Sequence, residues 1–181
     1  YTNTVTEIEN LQETLETEQK NLEATEKEYK AEQATLTETI NSKKDEITNL
    51  DSMIQEAARK FAQEELLPGV LERDEKSEFP VEQFHKAGEL GFIGLPYPKE
   101  YGGQGLGYME YALAVEEVSK VDASFGIAFS VTTSLYAGSV WNSDATEEQK
   151  KTFLPEVLSG KALGSFGLTE PNAGSDAGGC I

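Results

Sequence analysis

Apolar positions change their spacing near residue 50. In residues 1–50 they are sparse and recur with a heptad tendency: Ile8, Leu11, Leu15, Leu22, Tyr29 and Leu36, then Ile40, Ile47 and Leu50. No glycine or proline occurs before Pro68, and Glu, Lys, Gln, Leu and Thr dominate. Such a breaker-free stretch predicts one long helix. Fifty residues at 1.5 Å each would extend about 75 Å, longer than a globular helix usually runs. From Leu15 to Leu36 one seam position stays apolar every seven residues, but the alternate positions are Glu18, Thr25 and Glu32, where a stable coiled coil would place Leu. The step from Leu36 to Ile40 resembles a stutter. A thin solvated helix, a coiled-coil strip and a disordered acidic tail all remain open for this segment.

From Ser52 the stripe widens. Met53, Ile54, Ala57, Ala58, Phe61, Ala62, Leu66 and Leu67 fall at helical spacing on a face broad enough for a globular core, and Pro68-Gly69 stops it. A polar loop is expected over Glu72–Phe79, then a short helix from Val81 to Leu90 with Phe84, Ala87 and Leu90 inward and Gly91 as its left-handed cap. A Pro/Gly loop follows from Pro96 to Gly107. Met109–Val121 predicts a third helix, and Asp122–Trp141 a fourth, rich in small residues as a buried helix should be. Thr146 with Gln149 forms a capping box that starts a fifth helix through Leu158, closed by Gly160. Lys161–Thr169 lacks helical spacing and reads as an entering strand. The fold class is therefore mainly α. A long coiled-coil-like helix (1–51) precedes an all-helical domain (52–160), and 161–181 is the start of a truncated β domain.

Of 181 residues, 33 are acidic and 15 basic, a formal net charge of −18. With no clustered Lys/Arg, that balance argues against nucleic acid or anionic lipid as a partner. No apolar run approaches the ~20 residues of a membrane span. The one cysteine, Cys180, excludes an internal disulfide framework or a Cys-rich zinc site, fits a reducing compartment, and has no nucleophile motif around it. His85 has no second ligand beside it and reads as a surface or satisfied core residue. Glu116 and Glu117 point about 100° apart on their helix, so they read as a solvated face rather than an acid/base pair. Gly102–Gly107 has the look of a dinucleotide loop, but it follows a Pro-containing loop instead of a strand and lacks the spacing.

The segment Gly164-Ser165-Phe166-Gly167-Leu168-Thr169-Glu170-Pro171-Asn172-Ala173-Gly174-Ser175-Asp176-Ala177-Gly178-Gly179 carries the most chemistry. Small residues let backbone approach a ligand, successive amides can form an anion-binding concavity, and the Thr169 and Ser175 hydroxyls can donate to a ring carbonyl or a phosphate oxygen. A ligand-free Gly-rich turn is the alternative. This segment resembles the flavin-site signature of the acyl-CoA dehydrogenase family. Met53–Arg59, Glu72–Glu75, Glu89–Leu95, Lys99–Gly103, Ala114–Glu117 and Thr146–Lys150 resemble the family's N-terminal helical domain in order and spacing, most of all its short-chain, butyryl-CoA-like branch.

The resemblance implies an FAD-dependent oxidation of an acyl-CoA to the trans-2-enoyl-CoA, in fatty acid β-oxidation or butyrate metabolism, with electrons passed to an electron-transfer flavoprotein. By motif position it implies that Phe166, Gly167, Leu168, Thr169, Glu170, Pro171, Asn172, Ala173, Gly174 and Ser175 line the flavin. Thr169 would bond the isoalloxazine edge, and Ser175 would serve both the pyrophosphate and the acyl-CoA substrate. Residues 130–135 would flank the acyl pocket. It also implies a homotetramer when full length, in the bacterial cytoplasm or the mitochondrial matrix. The family's catalytic glutamate belongs to a C-terminal helical domain, so no catalytic residue and no metal ligand is assigned here, and these 181 residues alone are expected to be inactive. Residues 1–50 have no counterpart in the family pattern. Their presence leaves a second expectation, a non-catalytic interaction or scaffold module in which a coiled coil is fused to an enzyme-derived domain.

Overall fold

A computed structural model describes residues 2–176 and Gly178, the side chains of Thr2 and Asn3 excepted. The chain divides into two units, Tyr1–Asn49 and Leu50–Ile181. Helix α1 spans Thr2–Phe61. In the first unit every residue from Thr4 to Asn49 is exposed. The threonines that lower its helix propensity turn their hydroxyls onto its own backbone: Thr14, Thr25 and Thr37 each donate to the carbonyl four residues earlier at 2.8–2.9 Å.

In the second unit every regular element among the described residues, up to Leu158, is helical. After α1, a π-helical turn (Ala62–Leu66) leads to α2 (Val70–Lys76), α3 (Val81–Glu89), a 3₁₀ turn (Lys99–Tyr101) and α4 (Tyr108–Ser119). Then come α5 (Ala123–Ser130), a second π-helical stretch (Val131–Ala137), α6 (Gly138–Asn142), α7 (Glu147–Phe153) and α8 (Pro155–Leu158). The apolar stripe predicted from Met53 to Leu67 faces the core only in part, since Met53, Ala57 and Leu67 are exposed. Ala58, Phe61, Ala62 and Leu66 are buried against Phe84, Phe92, Ile93, Val118 and Phe125. Phe61 lies edge-on to Phe92 at 5.7 Å and tilted to Phe125 at 5.9 Å, and Phe84 meets Phe125 at 6.0 Å. Each buried ring contributes roughly 1.5–3 kcal/mol by leaving water. A second cluster joins Tyr97, Tyr101, Leu154 and Leu158, with Trp141 edge-on to Tyr101 at 5.2 Å.

Several expectations hold in detail. Gly91 takes φ 82° after α3, and Thr146 and Gln149 form the capping box of α7. Three do not. Glu72–Phe79 is not a loop up to Lys76: α2 forms there because Arg73 is tied to the Leu66 and Pro68 carbonyls at 2.6 and 2.9 Å, and Lys76 pairs with Glu72 at 2.5 Å. Its exposed face carries no apolar periodicity to reveal it. The fourth helix is not one α-helix but α5, a π-helical stretch and α6. Lys161–Thr169 forms no strand, because among the described residues no neighbouring strand accepts its amides; the nearest approach to sheet is an isolated bridge between Glu170 and Ala173.

Glu117 is a further correction, because only Glu116 of that pair is solvated. The Glu117 side chain is 3 % exposed and receives Gln55 Nε2 at 3.0 Å, Arg59 Nε and Nη2 both at 3.1 Å, and Lys120 Nζ at 2.8 Å. The Arg59 guanidinium first, then Lys120 and Gln55, hold its carboxyl well below the usual range, at about 2, against the opposing effect of burial. A depressed folded-state value stabilises the fold above the ordinary carboxylate range, and that stability is lost as pH falls towards 2. Urea midpoints should therefore decline from about pH 5 to pH 2–3, more steeply in the native chain than in Glu117→Gln. Parallel profiles for the two would refute this role.

The chain leaves the helical part where Gly88 of α3 crosses Gly160. A Cβ on Gly88 would lie 2.3 Å from the Gly160 Cα and from the Ser159 carbonyl oxygen. His85 closes the same crossing: its Nδ1 carries the hydrogen bond to the Gly160 carbonyl, which can only accept. Gly88→Ala should cost about 1–3 kcal/mol through overpacking, whereas Gly167→Ala, with open space around it, should be near neutral. Equal denaturation midpoints for the two variants would sink the argument.

Candidate functional site

The signature segment starts from the second π-helical stretch. Thr132 and Thr133 there are fully buried. The Thr133 hydroxyl donates to the Ile93 carbonyl at 2.9 Å, and its own carbonyl accepts from the Tyr97 hydroxyl at 2.6 Å. Burial pushes the Tyr97 phenol well above its ordinary value, so it stays a donor across the working pH range. Three consecutive β-branched residues, Val131, Thr132 and Thr133, crowd an α-helical turn. The wider π turn places the two threonines inward while Ser134 and Leu135 stay exposed. That β-branched run was the available signal for an irregular turn, and helical spacing alone missed it.

Against this stretch the outgoing chain is laid down closely. The Thr132 hydroxyl reaches the Gly164 carbonyl at 3.4 Å, and a Cβ on Gly164 would sit 2.7 Å from that of Tyr136. Beyond Gly164 the segment is open. Phe166, Gly167, Leu168, Thr169, Glu170, Pro171, Asn172 and Ser175 are exposed, and Ala173 and Gly174 half-buried. Glu170-Pro171-Asn172-Ala173 closes as a turn, Glu170 N–H donating to the Ala173 carbonyl at 2.7 Å and Ala173 N–H to that of Glu170 at 3.3 Å. The turn brings Thr169 beside Gly174, whose added Cβ would be 3.6 Å from the Thr169 hydroxyl.

Among the described residues neither the Thr169 nor the Ser175 hydroxyl has a hydrogen-bond partner. Two unengaged hydroxyls flanking a small-residue turn, next to half-exposed Phe166 and Leu168, suit a ligand that is polar along one edge and flat and apolar on its face. An isoalloxazine ring with a pyrophosphate tail has that chemistry. Ala177, Gly179 and Cys180 lie outside the described residues.

The other glycine-rich stretch is used internally. Gly103 N–H donates to Pro98, Gln104 to Gly94, Gly105 to Tyr97 and Leu106 to Leu95, at 2.7–3.1 Å, so these amides are unavailable to a phosphate. Among the described residues no group of three His, Cys, Asp or Glu is placed to hold a metal, and no helix is long and apolar enough to cross a membrane.

This helical architecture is that of an acyl-CoA dehydrogenase N-terminal domain. The family model described as the acyl-CoA dehydrogenase N-terminal domain matches residues 48–161. The chain belongs to the acyl-CoA dehydrogenase family. It is 50% identical over 134 residues to a probable acyl-CoA dehydrogenase of Bacillus subtilis, a match covering 74% of this chain and 35% of that protein. The butyryl-CoA dehydrogenase of Megasphaera elsdenii superposes with a TM-score of 0.67 at 41% identity, over 72% of this chain and 34% of that one. A chain in a structure described as an electron transferring flavoprotein of Acidaminococcus fermentans gives a TM-score of 0.69 at 45% identity, over 72% and 34%. The chain thus spans about a third of the length of these relatives.

Tyr97→Phe keeps the ring but leaves the Thr133 carbonyl buried without its donor. It should lower stability by about 1–3 kcal/mol. An unchanged urea midpoint would show that the π-helical stretch does not need this bond.

Proposed function

We propose that the chain is part of an FAD-dependent acyl-CoA dehydrogenase of the short-chain, butyryl-CoA-like kind, which converts an acyl-CoA to the trans-2-enoyl-CoA. The observation that carries this reading is the pair of unengaged hydroxyls, Thr169 and Ser175, held around the Glu170–Ala173 turn in a segment that bears the family's flavin signature. In this reading residues 52–160 are the helical domain and residues 161–181 the opening of a β domain. The amides from Leu163 to Thr169 are then completed by strands of that domain.

Bound FAD supplies the hydride acceptor for the substrate β-carbon. The residues of this chain bind and orient. The Thr169 hydroxyl donates to the edge of the ring system, and Phe166 and Leu168 cover apolar surface beside it. Small residues at Gly167, Ala173 and Gly174 let backbone approach. Ser175 donates to a pyrophosphate oxygen and to the acyl-CoA. Leu135 and Ser134, exposed on the π-helical stretch, form a wall for a short acyl chain. Within residues 1–181 no carboxylate takes the part of the α-proton base. The electron acceptor in this reading is an electron-transfer flavoprotein and the assembled enzyme a homotetramer, working in a bacterial cytoplasm or a mitochondrial matrix. A second reading, a binding module built on an enzyme-derived domain, is supported by the exposed apolar seam of residues 4–49.

The test uses the longest chain that contains this segment, purified and titrated with FAD and with butyryl-CoA. Thr169→Ala and Ser175→Ala should each weaken flavin or substrate binding by roughly tenfold, the worth of one hydrogen bond to a charged or polarised acceptor. The 181-residue polypeptide itself should retain no flavin absorbance and show no acyl-CoA oxidation. Unchanged affinities in both variants would remove the assignment of these two residues.

A further inference from the structure

The first unit leaves an apolar seam uncovered, and its charges name what covers it. Taking the step from Leu36 to Ile40 as the d-to-a step of one heptad, instead of as a break, puts the whole unit in a single frame. The d positions are then Ile8, Leu15, Leu22, Tyr29, Leu36 and Lys43. The a positions run Gln12, Gln19, Glu26 and Gln33 before Ile40 and Ile47. Each of the apolar residues among them is between 47% and 61% exposed. Threonines at the flanking e and g positions, Thr25, Thr37 and Thr39, bond their own helix backbone at 2.8–2.9 Å, which leaves their methyl groups for a neighbour. From Thr4 to Asn49 the helix is exposed throughout and has no packed face, whereas packing of one face is what normally stabilises a helix.

We propose that this face pairs with the same face of a second copy of the chain, antiparallel, as a two-stranded coiled coil. A parallel pair in register would bring Glu26 against Glu26 and Lys43 against Lys43 inside the seam, two like-charge contacts. Reversing one copy about a two-fold axis between residues 27 and 28 replaces both. Glu26 then lies level with Tyr29 of the second copy and Lys43 with Gln12. Ile40 meets Leu15, Ile47 meets Ile8, and Leu22 and Leu36 cover Gln33 and Gln19.

Charge outside the seam selects the same direction. Residues 1–26 hold seven glutamates and one lysine, whereas residues 27–50 hold five acidic residues and four lysines. At e, Glu9, Glu16 and Glu23 occupy the first half, and Lys30 and Lys44 the second. Antiparallel strands set e beside e, so reversal brings the glutamates to the lysines, and charges at these positions are what fix partner and orientation. A two-fold pair of this kind closes on itself and gives a dimer, not a filament. The inference rests on the first unit alone and is independent of the flavin reading.

Cross-linking reads the orientation directly. In a Cys180→Ser background, Ile8→Cys and Ile47→Cys chains are made separately and oxidised alone and mixed. The mixture should give the disulfide dimer of unlike chains in at least tenfold excess over either variant alone. Self-cross-linking of each variant alone would mean parallel pairing and overturn the proposal. Because a substitution could itself loosen the pair, sedimentation equilibrium of the unmodified chain should show twice the monomer mass, and Leu15→Lys/Ile40→Lys should show the monomer mass. A monomeric unmodified chain, or a dimer that survives the double substitution, would also overturn it.

Discussion

The helical domain is organised around one buried carboxylate. Glu117 sits on α4, and every cation and amide that reaches it comes from Lys120 at the end of that helix or from the last turns of α1. A charge in that position would be costly if any donor were removed, because a lone buried carboxylate loses its hydration without replacement. Its full complement of donors sets the rotation of α1 about its own axis. That rotation turns Ala58, Phe61 and Ala62 inward and leaves Arg59 part-exposed on the rim. The aromatic cluster of Phe61, Phe84, Phe92 and Phe125 then packs on a face whose direction is already specified. The apolar contacts supply most of the favourable energy, and the ion cluster supplies the register.

Much of this was legible in the residues because it is local. A helix without breakers, a capping box at Thr146 and a left-handed glycine at position 91 depend on neighbours within one turn, and each formed as its spacing indicated. The features that escaped depend on side-chain contacts that apolar spacing does not record. Glu117 reads as solvated until Arg59, 58 residues away, is placed on it. Helix α2 reads as a loop because its anchor is Arg73 on the carbonyls of Leu66 and Pro68, not an apolar stripe. The π-helical stretch reads as ordinary helix because the carbonyl of Thr133 is claimed by Tyr97, 36 residues earlier.

The candidate site divides the same way. The Thr169 and Ser175 hydroxyls stand out by their type, the rest of the set is implied only by the family resemblance, and the turn from Glu170 to Ala173 follows from Pro171 and the small residues after it. The expected strand did not form, since a strand is defined by the neighbour it bonds and the amides from Leu163 to Thr169 meet none among the described residues. What links the site to the domain is the junction of Gly164 with Tyr136 and Thr132. The turn and the two hydroxyls beside it were visible in the sequence, while the surface that anchors them was not.

The crossing of Gly88 and Gly160 has a further meaning for the domain as a unit of inheritance. Two backbones touch there with no side chain between them, so the heading on which the chain departs is encoded by absence. Residues on either side can be exchanged while that heading is kept, and a helical domain with the same crossing can deliver different downstream sequences to the same place. A single added methyl group at position 88 would press on the Ser159–Gly160 backbone, even if every residue that touches a ligand were left unaltered.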